Sequence, residues 1–410
     1  MANDPLALGQ LYQQQSRRVL ATLIRLLGDF ALAEEAMQEA FTAAIRQWPE
    51  EGTPDNPTAW LIRAGQRRGI DQIRRKQTAR QYSHLLANGE DVAPEPDEQS
   101  IADDQLRLLF TCCHPGLSID ARVALTLREM CGLTTEQVAS GLLQKPATLA
   151  QRIVRAKKKI REAGIPYEIP GAKELPQRLP DVLRVVYLVF NEGYSRSDGE
   201  SVVDISLANK AIRLAEELGG MLPQGEVFGL LALMRLQHSR RHARQDAEGE
   251  LVTLEDQDRS RWDQQDIRQG LQYLELALTA SPTGPYTLQA SIAAVHAQAL
   301  QADTTDWARI VRLYDALYRQ QPSPIIALNR AVAVAMRDTP ADGLRLLEAL
   351  IPEKAILNYH LFHAVRADLY RRAGDTKAAA TAYQRAIELT SQGPEQRFLQ
   401  RRLAALGPIT

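Results

Sequence analysis

Arg63, Arg67, Arg68, Arg74, Arg75, Lys76 and Arg80 fall within one stretch of chain that also carries Trp60, Leu61, Ala64, Ile70 and Ile73 at helical spacing. A helix built this way presses its apolar stripe onto a core and turns guanidinium and ammonium groups outward, where phosphates are the natural counter-charge. A second stretch repeats the arrangement. In Pro146–Ile160 the apolar residues Leu149, Ile153 and Ile160 align with Val138 and Leu142 of a preceding short helix. That alignment turns Thr148, Gln151, Arg152, Arg155, Lys157, Lys158 and Lys159 towards a partner. Thr135–Leu142, a turn at Leu143-Gln144-Lys145 and Pro146–Ala163 have the shape of a helix-turn-helix, whose second helix enters a DNA major groove. Residues at the start of such a helix read base edges and the later lysines hold phosphate.

The elements that must position these groups are helical throughout. Leu8, Leu11, Tyr12, Val19, Leu23, Ile24 and Leu27, then Ala33, Ala36, Met37, Ala40, Phe41 and Ile45, recur at the helical period. Prolines and Gly52 between Trp48 and Pro57 break the pattern. The next helix starts at Pro57, where a missing N–H leaves no bond unmade. The proline-bounded loop 49–56 sits where an unstacked base could be caught. Gln81 to Asp104 reads as an acidic linker, with Glu90, Asp91, Glu95, Asp97, Glu98, Asp103 and Asp104. Helices resume over 105–112, 119–130, 135–142 and 146–163, with Gly132 supplying a break.

Beyond about residue 180 the chain is rich in Ala and Leu and contains a spaced repeat. Ala367, Tyr370, Gly374, Ala379, Tyr383 and Ala386 stand at the separations of a tetratricopeptide unit, and Ala331, Val334, Asp338, Gly343, Leu347 and Leu350 form a degenerate copy. Gly270, Leu274, Ala277 and Pro282 look like the second half of an earlier one. Units of this kind stack into a solenoid, because none buries its apolar face alone. The polar tract from Gln237 to Asp266 interrupts the array as a long loop or a partly polar helix.

The 410 residues suffice for two or three domains. Lys and Arg (49) nearly balance Asp and Glu (50), so the distribution of charge rather than its sum points to nucleic acid. No apolar run is long enough to span a membrane, and the expected address is the cytoplasm. Three cysteines, Cys112, Cys113 and Cys131, make a disulfide framework improbable. Cys112-Cys113-His114 lacks tetrahedral ligand spacing and reads as buried thiols at a helix end. His84, His238, His242, His296, His360 and His363 have no triad-like or zinc-like company, and no glycine-rich phosphate loop occurs. The expectation is therefore a protein with no catalytic residue, metal or cofactor.

Glu34-Glu35-Ala36-Met37-Gln38-Glu39-Ala40-Phe41 leading to Trp48, followed by Ala59-Trp60-Leu61, Ile70-Asp71 and Arg74-Arg75, resembles region 2 of bacterial sigma factors of the extracytoplasmic-function (ECF) group. Leu125–Lys159 resembles their region 4. The likeness covers about the first 165 residues, as two motifs in the right order around a linker. It implies an all-α protein: a region 2 helical bundle over 1–80, an acidic linker over 81–104, a region 4 helix-turn-helix over 105–165 and a tetratricopeptide-like α-solenoid over 166–410. It further implies that Glu35, Gln38 and Glu39 dock on the clamp of core RNA polymerase. Trp60, Arg63, Arg67, Arg68, Arg74, Arg75 and Lys76 would serve the minus-10 element of promoter DNA. The minus-35 element would fall to the 146–161 helix. The acidic linker would occupy the polymerase channel that later holds RNA. The chain departs from the family at Gln66-Arg67, where an Arg-Asn pair is common, and Gly65 and Gly69 lower local helix propensity.

Tyr187-Leu188-Val189-Phe190-Asn191-Glu192-Gly193-Tyr194 looks like the opening motif of a helical extension found in a subgroup of that family. The extension is expected to modulate activity, clamping regions 2 and 4 or receiving a peptide or protein partner, in place of a membrane-bound inhibitor. Two other readings compete: a conventional helix-turn-helix regulator that senses through its repeats, and a repeat scaffold whose basic helices are solvated surface.

Overall fold

The computed structural model describes residues 5–78, 97–142, 144–194, 205–280, 282–354 and 356–407. Among them are eighteen α-helices, and the only β pairing is an isolated antiparallel bridge between Gln245 and Leu251. The chain forms two compact units, residues 1–186 and 187–410.

In the N-terminal unit, α1 (Pro5–Leu27), α2 (Phe30–Glu51) and α3 (Pro57–Thr78) make a bundle. Gly28 takes a φ of 71°, which ends α1, and the Asp29 carboxylate accepts the Leu32 N–H at 2.9 Å, which starts α2. Val19, Leu20 and Leu23, with Ala36, Met37 and Phe41 and with Leu61 and Ile62, are buried between the three helices. Each large aliphatic group among them contributes on the order of 2 kcal/mol. Gly65 and Gly69, which the sequence presents as weak points of α3, are close-approach positions. A Cβ on Gly65 would sit 2.7 Å from Leu23 Cδ1, and one on Gly69 would sit 2.5 Å from Leu27 Cδ1.

The same unit continues with α4 (Glu98–Cys112), α5 (Ile119–Leu125) running into a π-helical turn at Thr126–Met130, α6 (Thr135–Gly141) and α7 (Pro146–Glu162). Asp97 caps α4, whose first turns take up residues the sequence assigns to the acidic linker. Asp104 is fully buried there, 2.7 Å from Arg25 Nε and 2.5 Å from Arg107 Nη1, because a carboxylate paired with two guanidinium groups can leave water. Residues 81–96 of the expected linker, and Arg80 before it, lie outside the described residues. Tyr167 donates to the Ala21 carbonyl at 2.7 Å, so the segment after α7 returns to α1. Helix α8 (Leu175–Tyr194) carries the division between the units. Its first half packs on the helix-turn-helix part, with Arg122 on Asp181 at 2.6 Å and Arg178 on the Phe110 carbonyl at 3.1 Å. The division consequently falls beyond the boundary expected at 165/166.

The C-terminal unit begins with the end of α8 and continues through α9 (Ile205–Met221), α10 (Gly225–His238), α11 (Gln264–Thr279), α12 (Pro285–Gln298), α13 (Trp307–Gln320), α14 (Pro324–Arg337), α15 (Pro340–Glu348), α16 (His360–Arg372), α17 (Thr376–Leu389) and α18 (Gly393–Ala404). The repeat positions do what their spacing predicts. Ala367, Ala379, Tyr383 and Ala386 are buried between α16 and α17, and Gly374 turns the chain at a φ of 84°. In the degenerate copy Gly343 lies where a Cβ would come within 2.5 Å of Ala335 Cβ and 3.0 Å of the Ala331 carbonyl. Gly270 of α11 does the same against Leu236 of α10 at 2.7 Å.

The interrupting tract is an ordered loop containing the Gln245–Leu251 bridge and a 3-10 turn at Arg259–Arg261. Its carboxylates fasten it onto the last helices: Glu250 lies 2.6 Å from Arg397 and 3.2 Å from Arg401, Asp256 lies 3.0 Å from Arg402, and Glu255 pairs with Arg372.

Candidate nucleic-acid and polymerase-binding surfaces

Helix α3 is anchored before it is charged. Asn56 accepts the Ala59 N–H at 3.0 Å, Thr58 donates to Gln15 at 3.1 Å, and Ala59, Leu61 and Ile62 are buried. That anchoring leaves Arg67, Arg68, Arg74 and Arg75 exposed along one face, with Arg63 half-buried. Lys76 belongs to α3, but its side chain lies outside the described residues. Trp60 is half-buried and meets the buried Trp48 edge-on at 5.3 Å between ring centroids, across the 52–56 loop in sequence.

On α2, Glu35 and Gln38 are exposed. Glu39 leans back towards α3, 3.8 Å from Arg68 and 3.4 Å from the Gln72 amide. The expected polymerase-facing and DNA-facing groups thus touch at one edge, and part of the Arg68 charge is screened by a carboxylate.

In the helix-turn-helix part, Val138, Leu149, Ile153 and Ile160 are buried and Leu142 is half-buried; Leu143 lies outside the described residues. Ala156 completes the seam. Thr148, Gln151, Arg155, Lys158 and Lys159 are exposed on the other side of α7. Arg152 is tethered, donating to Gln144 at 2.7 Å and lying 3.7 Å from Asp120.

Lys157 departs from the outward set. Its ammonium sits 2.9 Å from Glu34 and 3.0 Å from Glu129, and 5.6 Å from the Phe30 ring. Glu129 is fully buried, and burial raises its pKa while Lys157 pulls it back. Burial alone would lower Lys157, but the Glu129 and Glu34 carboxylates outweigh it and hold the ammonium above its usual value. The charge of Lys157 is therefore spent inside the protein, joining α7 to α2. The sequence signal for this was Glu129 itself, one of the few charges in the apolar run Val123–Met130. Arg128, next to it, lies 3.7 Å from the same Glu34.

Cys112 and Cys113 are buried at the end of α4, and burial pushes the Cys113 thiol up to about 12. No group of three or more His, Cys, Asp or Glu side chains able to hold a metal occurs among the described residues, and no described helix is long and apolar enough to cross a membrane.

A three-helix bundle with a basic third helix, followed by a helix-turn-helix, defines a sigma-70-type protein. Residues 11–79 match the family described as Sigma-70 region 2, and residues 107–160 match Sigma-70, region 4. Residues 178–278 match a family of unknown function (DUF6596). Within that class the chain belongs to the ECF group of sigma factors, and it continues past region 4 into a helical extension that includes the DUF6596 match. It is 42% identical over 393 residues to the uncharacterized protein R00370 of Rhizobium meliloti (strain 1021), covering 94% of this chain and 92% of that one. The probable ECF RNA polymerase sigma factor SigI of Mycobacterium tuberculosis is 28% identical over 186 residues, 44% of this chain and 60% of its own length. The ECF RNA polymerase sigma factor SigK of Mycobacterium ulcerans is 27% identical over 158 residues, 38% of this chain and 84% of its own.

Proposed function

We propose that this chain is an alternative sigma factor that binds core RNA polymerase, engages the minus-35 and minus-10 elements of a set of promoters and starts transcription there. The observation that carries the reading is the pair of outward basic faces, Arg67, Arg68, Arg74 and Arg75 on α3 and Arg155, Lys158 and Lys159 on α7, each backed by a buried apolar seam. In this reading Trp60, Arg63 and the α3 arginines, with Lys76, serve the minus-10 element, where loop 52–56 lies beside the strand to be opened. Thr148, Gln151 and Arg152 face the edges of the minus-35 bases, while Arg155, Lys158 and Lys159 hold phosphate. Lys157 takes a positioning part, setting α7 against α2.

Glu35, Gln38 and Glu39 of α2 supply an acidic patch for polymerase. The C-terminal unit modulates this activity. The conventional-regulator reading is less well supported, because a regulator has no use for the region 2 bundle.

Run-off transcription with purified core polymerase tests the proposal. The full chain should bind core enzyme and start transcripts at a fixed position on a promoter selected from a random library. A chain that bound duplex DNA tightly on its own, and started transcription only with another sigma factor added, would support the regulator instead.

A further inference from the structure

We propose that the C-terminal unit holds a binding site for a small organic acid, an apolar body ending in a carboxylate, in the cavity bordered by Arg259, His296 and Trp307. The cavity encloses roughly 630 Å³, within the range that small-molecule sites occupy. Its apolar wall includes Trp307 of α13, Met336 of α14, Leu369 of α16 and Phe398 of α18. Four separate helices thus shape one apolar space, and α16 and α18 also bring Asp368, Arg372 and Arg402 to its edge.

Arg259 is oriented without being neutralised. Its guanidinium donates to the His296 carbonyl at 2.8 Å, the Ala299 carbonyl at 2.7 Å and the Thr305 hydroxyl at 3.2 Å, and it lies 5.0 Å from the Trp262 ring. Among the described residues no carboxylate lies within ion-pair distance of it. Arg240 and Arg244 continue the series: Arg240 stands 5.8 Å from both the Trp262 and Tyr194 rings, and Arg244 stands 3.8 Å from Tyr194. Rings and arginines alternate, so positive charge accumulates beside the cavity.

Two buried nitrogens there, Arg259 Nε and His296 Nδ1, have no hydrogen-bond partner among the described residues. Leaving such a group unpaired costs on the order of 1–3 kcal/mol, which calls for an explanation in a folded protein. His296 is held neutral, pushed down to about 3 by burial and then by Arg240 and Arg259, and a neutral imidazole with its proton on Nδ1 donates one bond. A guanidinium with no carboxylate at ion-pair distance and an idle Nε–H is complementary to a carboxylate, which offers acceptor oxygens and a close counter-charge. Of the carboxylates on the rim, Glu255 and Asp368 are engaged by Arg372, and the exposed Asp303 attracts Arg259 only from beyond ion-pair distance.

The interrupting loop decides between a small acid and a peptide. Glu250, Glu255 and Asp256 strap it to Arg397, Arg401, Arg372 and Arg402, which closes this end of the helical array to an extended chain. The remaining space is bounded.

The test uses the purified full-length chain and three probe acids, 2-naphthoate, indole-3-acetate and octanoate, titrated by calorimetry at neutral pH. At least one should saturate at one site per chain with a Kd below about 1 mM, and its uncharged amide should bind about tenfold more weakly. His296→Phe keeps the ring against Trp307 but removes the donor, and should weaken the acid by about tenfold and the amide by less. Met336→Trp, with Val332→Phe as a second filling substitution should the first fail to fold, should abolish binding while circular dichroism stays unchanged. The proposal is overturned if none of the acids saturates, if acid and amide bind alike, if the filled variants bind as well as the parent, or if a hydrophobic peptide with a free C-terminus binds more tightly than every small acid.

Discussion

Lys157 Nζ and Glu34 Oε2 stand 2.9 Å apart, so a residue of the helix-turn-helix part is paired with one on the second helix of the bundle. Glu129, fully buried and 3.0 Å from the same ammonium, makes the contact costly to break. Lys157→Ala leaves that carboxylate without its main counter-charge and should lower the stability of the N-terminal unit by about 3 kcal/mol. Pairing it with Glu129→Leu, roughly isosteric with the glutamate, should recover part of the loss, since the buried position then needs no counter-charge. Urea unfolding followed by tryptophan fluorescence measures both. If Lys157→Ala left the urea midpoint unmoved and instead reduced the salt dependence of DNA binding, Lys157 would be a phosphate contact.

Gly343 tests the repeat. An added methyl would meet Ala335 Cβ at 2.5 Å and the Ala331 carbonyl at 3.0 Å, and neither atom can swing away as a side-chain tip could. Gly343→Ala should therefore cost about 2 kcal/mol despite the gain of up to about 1 kcal/mol in helix propensity. Gly220→Ala, at a helical position with nothing within 4 Å, should show that gain alone. Thermal unfolding of the two variants should move in opposite directions.

These glycines also show where sequence reading stopped. Periodicity located the basic faces of α3 and α7 and the small residues between α16 and α17, because those follow from one helix or one repeat. It read Gly65 and Gly69 as weaknesses in α3, since a close approach to Leu23 and Leu27 depends on a second helix whose angle the local pattern does not contain. Asp104 read as linker charge for the same reason: its partner Arg25 is far away in the chain. Lys157 read as one more outward cation in a basic run, and only the placement of Glu34 and Glu129 turns it inward. The strap from Glu250 to Asp256 read as polar filler, its arginine partners lying far down the chain on α16 and α18.

Positioning and reading residues should separate in DNA binding. Arg74→Ala with Arg75→Ala removes two cations from the exposed face of α3 and should weaken polymerase–promoter binding across all promoter sequences. The slope of log K against log salt should fall by about two. Gln151→Ala, exposed at the start of α7, should leave that slope unchanged and relax base preference at one upstream position, a change of about 1–3 kcal/mol in discrimination. Filter binding over a salt series and selection from a randomised upstream element distinguish them; identical behaviour of both variants would remove the assignment.

Acid should begin to loosen the C-terminal unit as the pH falls below the ordinary histidine range. His238 is pushed down to about 4, by burial first and then by Arg241 and Arg235 against the opposing pull of Asp266 and Asp263, and His296 is pushed down to about 3. A histidine whose folded pKa is depressed contributes fully above its ordinary value of 6.5. As the pH falls below that value, the unfolded chain takes up a proton that the folded chain refuses, and stability drains until the folded pKa is reached. At pH 5 each of the two groups should have cost about 2 kcal/mol relative to pH 7.5. Asp263, Asp368 and Glu395 of the same unit, whose folded pKa values are lowered, add their loss lower down, in the carboxylate range, so the first part of the loss belongs to the histidines. Calorimetric unfolding at the two pH values should show the C-terminal transition moving down, with His363, also lowered by burial, adding to the loss, and His296→Phe should remove its own share of about 2 kcal/mol. An unchanged shift in the variant would mean that His296 is not held neutral, and with it would go the positive field that Arg240 and Arg259 are argued to create.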